Sequence, residues 1–277
     1  MKNHIIAFIG AGNMARSLIS GLIKDGVDPQ KLWASDPDQA RCAELVDQFG
    51  IHTTADNHTA AAAADALVLA VKPQILKPIA MDLAPTCQGG SKLVLSIAAG
   101  IRSATLAQWL GDTTPIVRAM PNTPALIQSG ATALFATATV SALQRDLAES
   151  IMRSAGLTVW LDDENDMDIV TALSGSGPAY YFLFMEALEN AAVDLGLDAD
   201  TARLLSLQTA FGAARMALES SEDPAGLRRR VTSPGGTTEQ ALKVMEQAGL
   251  REILREALEA AKNRAFELDA ELAQQDQ

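Results

Sequence analysis

Cysteine is nearly missing from this 277-residue sequence: Cys42 and Cys87 are the only two, and neither stands in a CxxC or other metal-ligand spacing. That scarcity excludes a disulfide-stapled scaffold and a thiolate metal site, and it predicts free thiols in a reducing compartment. Histidine is equally rare, with His4, His52 and His58 all in the first half, and no metal is expected. No stretch approaches the roughly 18 uninterrupted apolar residues that a membrane helix needs. The apolar run Ile5 to Ile9 is too short for a signal segment and has no small-residue cleavage site after it, so a cytoplasmic location is expected. Cationic residues are also few, 22 against 34 acidic ones, for a net charge of −12. Such a surface repels nucleic acid and anionic membranes, and no basic stripe with interleaved aromatics offsets it. An anionic ligand would have to be held by backbone N–H groups and a few placed cations.

What is present is the balance of a folded chain, 48% apolar and 20% charged, long enough for about two domains. Short β-rich runs are expected at Ile5–Ile9, Leu32–Ser35, Ala66–Val71, Leu93–Ile97, Ile116–Ala119, Ala131–Phe135 and Thr158–Leu161. The first five are continuous apolar runs, as for strands covered on both faces of a parallel sheet. Helical stretches such as Met14–Lys24, Pro37–Phe49 and Gln74–Leu83 lie between them. This alternation predicts an α/β domain with a Rossmann-type doubly wound sheet over residues 1–163. From 164 to 277 no strand is expected. Amphipathic stretches Asp168–Leu195, Ala199–Glu219, Pro224–Arg230, Thr238–Ala248 and Arg251–Ala270 predict an all-helical domain. Its Ala- and Leu-rich faces exceed what so short a domain can bury alone, which points to a helical dimer interface.

Phe8-Ile9-Gly10-Ala11-Gly12-Asn13-Met14-Ala15 follows the first strand and opens the first helix. In that context the glycines allow a tight turn and close approach of a pyrophosphate, and the small Ala15 lets the helix pack on the sheet. The helix N-terminus adds N–H donors and a positive dipole end. Gly10, Ala11, Gly12, Asn13 and Met14 are therefore expected to bind a dinucleotide. The choice of cofactor is read at Ser35-Asp36-Pro37, where an acid gripping the ribose favours NAD and a small hydroxyl accepts a 2′-phosphate. Asp36 followed by Pro37 matches an N-cap and N1 pair. Ser35 then becomes the phosphate contact and NADPH the expected cofactor, with NADH as the alternative.

Lysine disappears between Lys92 and Lys243, and Tyr180 and Tyr181 have no lysine four residues on. A hydroxy-acid dehydrogenase needs a general acid–base for its oxygen, and none is evident here. An imine can take its proton from water and needs positioning more than a strong acid, so the chain reads as a C=N reductase. Val231-Thr232-Ser233-Pro234-Gly235-Gly236-Thr237-Thr238-Glu239 lies between two helices. It has two compatible roles: a helix–helix turn with Thr237 or Thr238 as N-cap, and a carboxylate site built on the Gly235 and Gly236 N–H groups with the Ser233 and Thr238 hydroxyls.

The glycine turn, Ala70-Val71-Lys72-Pro73-Gln74, Arg118-Ala119-Met120-Pro121-Asn122-Thr123-Pro124, Ser174-Gly175-Ser176-Gly177-Pro178 and the Ser-Pro-Gly-Gly-Thr-Thr loop occur in the order found in pyrroline-5-carboxylate reductases, which the chain resembles from Ile9 to Thr238. The resemblance implies reduction of 1-pyrroline-5-carboxylate to proline by NAD(P)H. It also implies a helical dimerisation domain and a homodimer that assembles further, to a decamer in one form. By position, Asn57 would meet the adenosine ribose or its 2′-phosphate. Ala70, Val71, Lys72 and Pro73 would lie along the nicotinamide ribose and diphosphate, and Met120 and Asn122 along the nicotinamide. Ser233, Gly236, Thr237 and Thr238 would hold the substrate, with Ser176 and Pro178 beside it and Thr238 as the catalytic contact to the imine. Two other activities stay open on the residues alone. One is a dehydrogenase of small hydroxy acids or other cyclic imines; the other is a dinucleotide-binding regulator without catalysis.

Overall fold

The computed structural model describes residues 4–274. Residues 1–3 and 275–277, which the domain expectations include, lie outside the described residues. The chain forms two compact units, Met1–Ser176 with Ala260–Gln277, and Gly177–Glu259.

The first unit runs β1 (Ile6–Ile9), α1 (Asn13–Lys24), β2 (Leu32–Ser35), α2 (Gln39–Phe49), β3 (His52–Thr54), α3 (Asn57–Ala63), β4 (Ala66–Leu69), α4 (Pro73–Cys87), β5 (Leu93–Ser96), α5 (Ser103–Leu110), β6 (Ile116–Met120), β7 (Gly130–Ala136), α6 (Ala142–Arg153), β8 (Gly156–Trp160) and α7 (Asp166–Val170). One sheet takes all eight strands in the order β3-β2-β1-β4-β5-β6-β7-β8. Every neighbouring pair is parallel except β6 and β7. The segment from Pro121 to Ser129 is too short for the crossover that a parallel return requires, so β7 comes back antiparallel.

β1, β4 and β5 are buried along their whole length, which is why they read as unbroken apolar runs. Successive side chains point to opposite faces. Ile6 and Phe8 join one core with Leu18, Leu22 and Ile151, whereas Ala7 and Ile9 join another with Leu76, Leu83 and Leu106. Helices thus cover both faces, the doubly wound arrangement expected. Cys42 and Cys87 are buried free thiols, and burial pushes Cys87 up to about 11.

Three local expectations are corrected. β3 was not expected: His52, Thr53 and Thr54 are partly exposed edge residues with neither an apolar run nor an alternating pattern. The N-cap of α2 is Asp38, whose carboxylate accepts from the N–H groups of Ala40 and Arg41; Asp36 has a different task. The helix expected from Asp168 to Leu195 is interrupted by a π-helical turn at Thr171–Gly175, after which α8 (Gly177–Asp194) begins.

The second unit contains α8, α9 (Ala199–Glu219), α10 (Pro224–Arg230), α11 (Thr237–Gln247) and the start of α12 (Leu250–Gln274), whose residues from Ala260 onward belong to the first unit. Asp198 and Asp223 cap α9 and α10, accepting from Thr201 N–H at 3.1 Å and Gly226 N–H at 2.7 Å. Ala202 is buried here, but Phe182, Leu204, Phe211 and Met216 are exposed. Apolar exposure on that scale marks a surface that another chain covers. Among the described residues no helix is long and apolar enough to cross a membrane, and no three His, Cys, Asp or Glu side chains could hold a metal ion.

Glu164, just before α7, ties the first unit together. It accepts from the Ser103 N–H at 2.7 Å, the Ser103 hydroxyl at 2.6 Å and Arg118 at 2.6 Å. Burial pushes its carboxyl up, but the Ser103 and Arg118 contacts outweigh that and hold it below the ordinary glutamate value. A depressed carboxyl stabilises the fold while ionised, an effect present at neutral pH and lost as pH falls through the depressed value. Glu164→Gln is expected to cost roughly 2 kcal/mol at neutral pH. Thermal melts across pH check this, since the gap to the native chain must narrow as pH falls below the ordinary glutamate range.

Candidate functional site

The strand order reverses between β1 and β4, so the turns leaving their carboxyl ends diverge and open a crevice, the usual ligand position of such a sheet. Gly10 sits at its narrowest point. Its φ is +103°, its N–H donates to Ser35 O at 2.8 Å, and a Cβ there would stand 2.8 Å from the Ala70 carbonyl oxygen. Ala70 is held in turn by donating its N–H to Ile9 O at 2.8 Å. A Cβ on Gly12 would meet nothing within 4 Å. Packing within the chain therefore does not demand that glycine, which leaves room for an outside group beside it. Gly12 is also the N-cap of α1 and has no side chain to close the first-turn N–H groups. The donors opened by Asn13 and Met14, with the positive end of the helix dipole, fit a diphosphate. Ala15 is fully buried, the close packing expected of a small third residue.

The turn after β4 places Val71 partly buried and Lys72 exposed, with Pro73 at the first position of α4. Ser35 is fully buried and gives its hydroxyl to Asn57 Oδ1 at 2.7 Å. The hydroxyl expected to meet a phosphate is thus already engaged with Asn57, the first residue of α3. Asp36, read from the sequence as an N-cap or as an acid at the ribose, makes bonds that neither reading foresaw. Its carboxylate accepts the Ala11 N–H at 2.9 Å and the Asp38 N–H at 2.9 Å, so it braces the glycine turn and caps no helix. An acid a little over twenty residues past the glycines was the available signal, and the proline after it drew the cap reading.

Met120 and Asn122 leave β6 and meet the π-helical turn. Asn122 accepts the Ala131 N–H at 2.9 Å and donates to Ser174 O at 3.3 Å and Ser174 Oγ at 3.2 Å. Its amide is thus fixed at both ends. A Cβ on Gly175 would stand 2.5 Å from Met120 Cε, so the glycine lets the methionine lie against the turn. Ser176 closes that turn by donating its N–H to Thr171 O at 2.9 Å. Such π turns recur where a helix is reshaped for a site.

In the second unit, Pro178 lies in the first turn of α8 and the Ser233–Thr238 loop leads into α11. Here the cap expectation is corrected: Gly236, with no side chain to offer, is the N-cap, and Thr237 and Thr238 are already helical. The Gly235 and Gly236 N–H groups are also not open donors. Gly235 donates to Glu239 Oε2 at 2.8 Å and Gly236 to Ser233 O at 3.0 Å. The first turn of α11 has no side-chain cap from Gly236, and Thr237 and Thr238 are its first two residues.

Comparison with known proteins matches this geometry to a family. Residues 164–268 match the family model described as pyrroline-5-carboxylate reductase dimerisation, and residues 5–100 match one described as NADP oxidoreductase coenzyme F420-dependent. A pyrroline-5-carboxylate reductase of Pseudomonas aeruginosa is 51% identical over 274 residues, 99% of this chain and 100% of that one. The chain belongs to the pyrroline-5-carboxylate reductase family. The solved reductase of Coxiella burnetii is 49% identical with a TM-score of 0.93, covering 96% of this chain and 98% of that one. The Plasmodium falciparum pyrroline carboxylate reductase, solved with NADP bound, is 30% identical with a TM-score of 0.85, covering 97% of this chain and 99% of that one. The matched dimerisation segment spans α8, α9 and their exposed apolar side chains, and a homo-oligomer follows.

Two glycines separate packing from ligand contact. Gly10→Ala forces a left-handed backbone and a backbone clash, and is expected to cost about 2–4 kcal/mol and to remove dinucleotide binding. Gly175→Ala crowds only the flexible end of the Met120 side chain, with Thr171 Cγ2 at ordinary contact distance; its stability should stay within about 1 kcal/mol while NADPH binds more weakly. Melting temperatures and calorimetric titration with NADPH distinguish the two, and a native-like Gly10→Ala would contradict the account of the turn.

Proposed function

We propose that this chain reduces 1-pyrroline-5-carboxylate to L-proline, the last step of proline biosynthesis. The observation that carries the proposal is near-complete coverage of the chain by reductases of this name, up to 51% identical, with both anion-attracting helix ends present. NADPH is the proposed hydride donor, and NADH the alternative. The pyrroline-5-carboxylate reductase solved with NADP supports that choice.

Gly10, Ala11, Gly12, Asn13 and Met14 hold the diphosphate with backbone donors, which a chain of net charge −12 needs. Asn57, positioned by Ser35, meets the adenosine ribose end. Ala70, Val71, Lys72 and Pro73 lie along the nicotinamide ribose and diphosphate, with Met120 and Asn122 along the ring. We assign the substrate carboxylate to Ser233, Gly236 and Thr237 at the start of α11, and we place Ser176 and Pro178 beside the substrate. The Thr238 hydroxyl oxygen accepts the N–H of the protonated imine and is the catalytic contact. Hydride adds to the carbon of the C=N bond while the nitrogen carries a proton taken from water. No lysine between Lys92 and Lys243 is then required.

Residues 1–163 act as the dinucleotide-binding domain and 164–277 as the dimerisation and substrate-binding domain. Dimers assemble further, to a decamer, in the cytoplasm, with neither nucleic acid nor membrane as partner.

Purified protein is expected to oxidise NADPH on addition of 1-pyrroline-5-carboxylate and release proline. Thr238→Ala is expected to lower kcat by about 10–100-fold with a smaller change in the KM for NADPH. No turnover of that imine with either nicotinamide at neutral pH would refute the assignment.

A further inference from the structure

Arg118 stands where β6 otherwise places apolar side chains. It is 8% exposed, on a strand whose Ile116, Val117 and Ala119 are buried. A buried ion pair gives little net stability over apolar packing of the same volume, so its use is to be sought in the geometry it fixes. That geometry is specific. Glu164 accepts from Arg118 Nη1 at 2.6 Å and from both donors of Ser103, the residue that opens α5. Beside it, Arg102 donates to Asn165 Oδ1 at 2.9 Å and to Asp168 Oδ2 at 3.3 Å. Two ionic clamps therefore hold the start of α7 to β6 and to the head of α5. The far end of the same segment is held by Asn122, which donates to Ser174 from the loop after β6. Between these anchors the chain carries one residue more than α-helical turns take up, and the π turn absorbs it. The Ser176 N–H reaches back five residues to Thr171 O at 2.9 Å. Met167 and Ala172 are buried on either side of the change.

We propose that Glu164, supported by Asp168, is a positioning residue for hydride transfer: through Arg118 and the start of α7 it keeps the π turn seated on Met120 and Asn122. The proposal rests on the NADPH-dependent reduction proposed above, in which those two side chains lie along the nicotinamide. Arg118 and Met120 are two residues apart and point to the same face of β6, so the clamp and the ring contact share one strand. With the start of α7 released, the surplus residue passes into ordinary helix. Ser174 and Gly175 then turn by about 100° away from Asn122 and Met120. Such a slip alters the placement of the ring more than the affinity for the cofactor, because the diphosphate is held by the glycine turn after β1. A displacement of about 1 Å at the reacting atoms is enough to cost on the order of 100-fold in rate.

The test uses the full-length protein with Arg118→Met and Glu164→Gln combined. This removes the ion pair, keeps the volume and leaves an amide oxygen for the Ser103 donors. The double variant is expected to melt near the native temperature and to bind NADPH within about threefold of the native affinity, with kcat lower by about tenfold or more. With NADPH deuterated at the transferred position, the primary isotope effect on kcat should rise above the native value, since a misplaced ring makes hydride transfer the slow step. Loss of stability alone does not move that readout. Asp168→Asn keeps an oxygen for Arg102 and should change kcat and the isotope effect in the same direction by a smaller factor; it decides if the double variant does not fold. A folded variant with the native kcat and isotope effect overturns the positioning role, and so does a loss of NADPH affinity as large as the loss of rate. A native protein that does not oxidise NADPH with 1-pyrroline-5-carboxylate overturns the reduction and this role together; an active native protein matched by its variant overturns the role alone.

Discussion

The approach of Gly10 to the Ala70 carbonyl is the constraint on which the rest of the first unit depends. Two parallel strands, β1 and β4, leave the sheet side by side, and their turns must part in opposite directions for helices to cover both faces. No side chain fits between them, and Gly10 must take a positive φ to make the turn. Everything functional at this edge follows from that geometry. The turn aims α1 with its uncapped N-terminus at the crevice, and it brings Ser35, Asp36 and Asn57 within hydrogen-bond reach of one another or of the turn itself.

In a chain of net charge −12, an uncapped helix N-terminus offers an anion positive partial charge that the surface as a whole does not. α1 and α11 share one device, a glycine N-cap without a side chain, so that first-turn donors remain for a ligand. Four of the other helices, α2, α3, α9 and α10, are capped by Asp38, Asp56, Asp198 and Asp223, which close them with their own carboxylates. An acidic cap repels an anion as well as satisfying the N–H groups. Glycine at α1 and α11 therefore sets these two helices apart from the four that acids close.

The exposed apolar side chains of α8 and α9 are the counterpart in the second unit. Phe182, Leu204, Phe211 and Met216 have too few partners within one chain to be covered. Association with a second copy supplies the missing area.

Much of this was legible in the sequence because short-range rules govern it. β1, β4 and β5 are buried on both faces and so appear as unbroken apolar runs. The glycine turn is confirmed by the strand before it and the helix after it. α9 and α10 begin at Asp198 and Asp223, local caps that need no distant partner. By contrast, β3 has no apolar signature because an edge strand of three partly exposed residues needs none. The task of Asp36 depends on Ala11, twenty-five positions earlier and brought near only by the pairing of β1 with β2. The π turn at Thr171–Gly175 depends on Met120 and Asn122 packing against it from β6. Sequence alone therefore determined the class of fold, the dinucleotide turn and the helical second half, whose causes lie within one or two neighbouring elements. Only the tertiary structure decided which polar groups are already occupied and which remain for a ligand, because each hydrogen-bond donor is satisfied by whatever the fold places within about 3 Å of it.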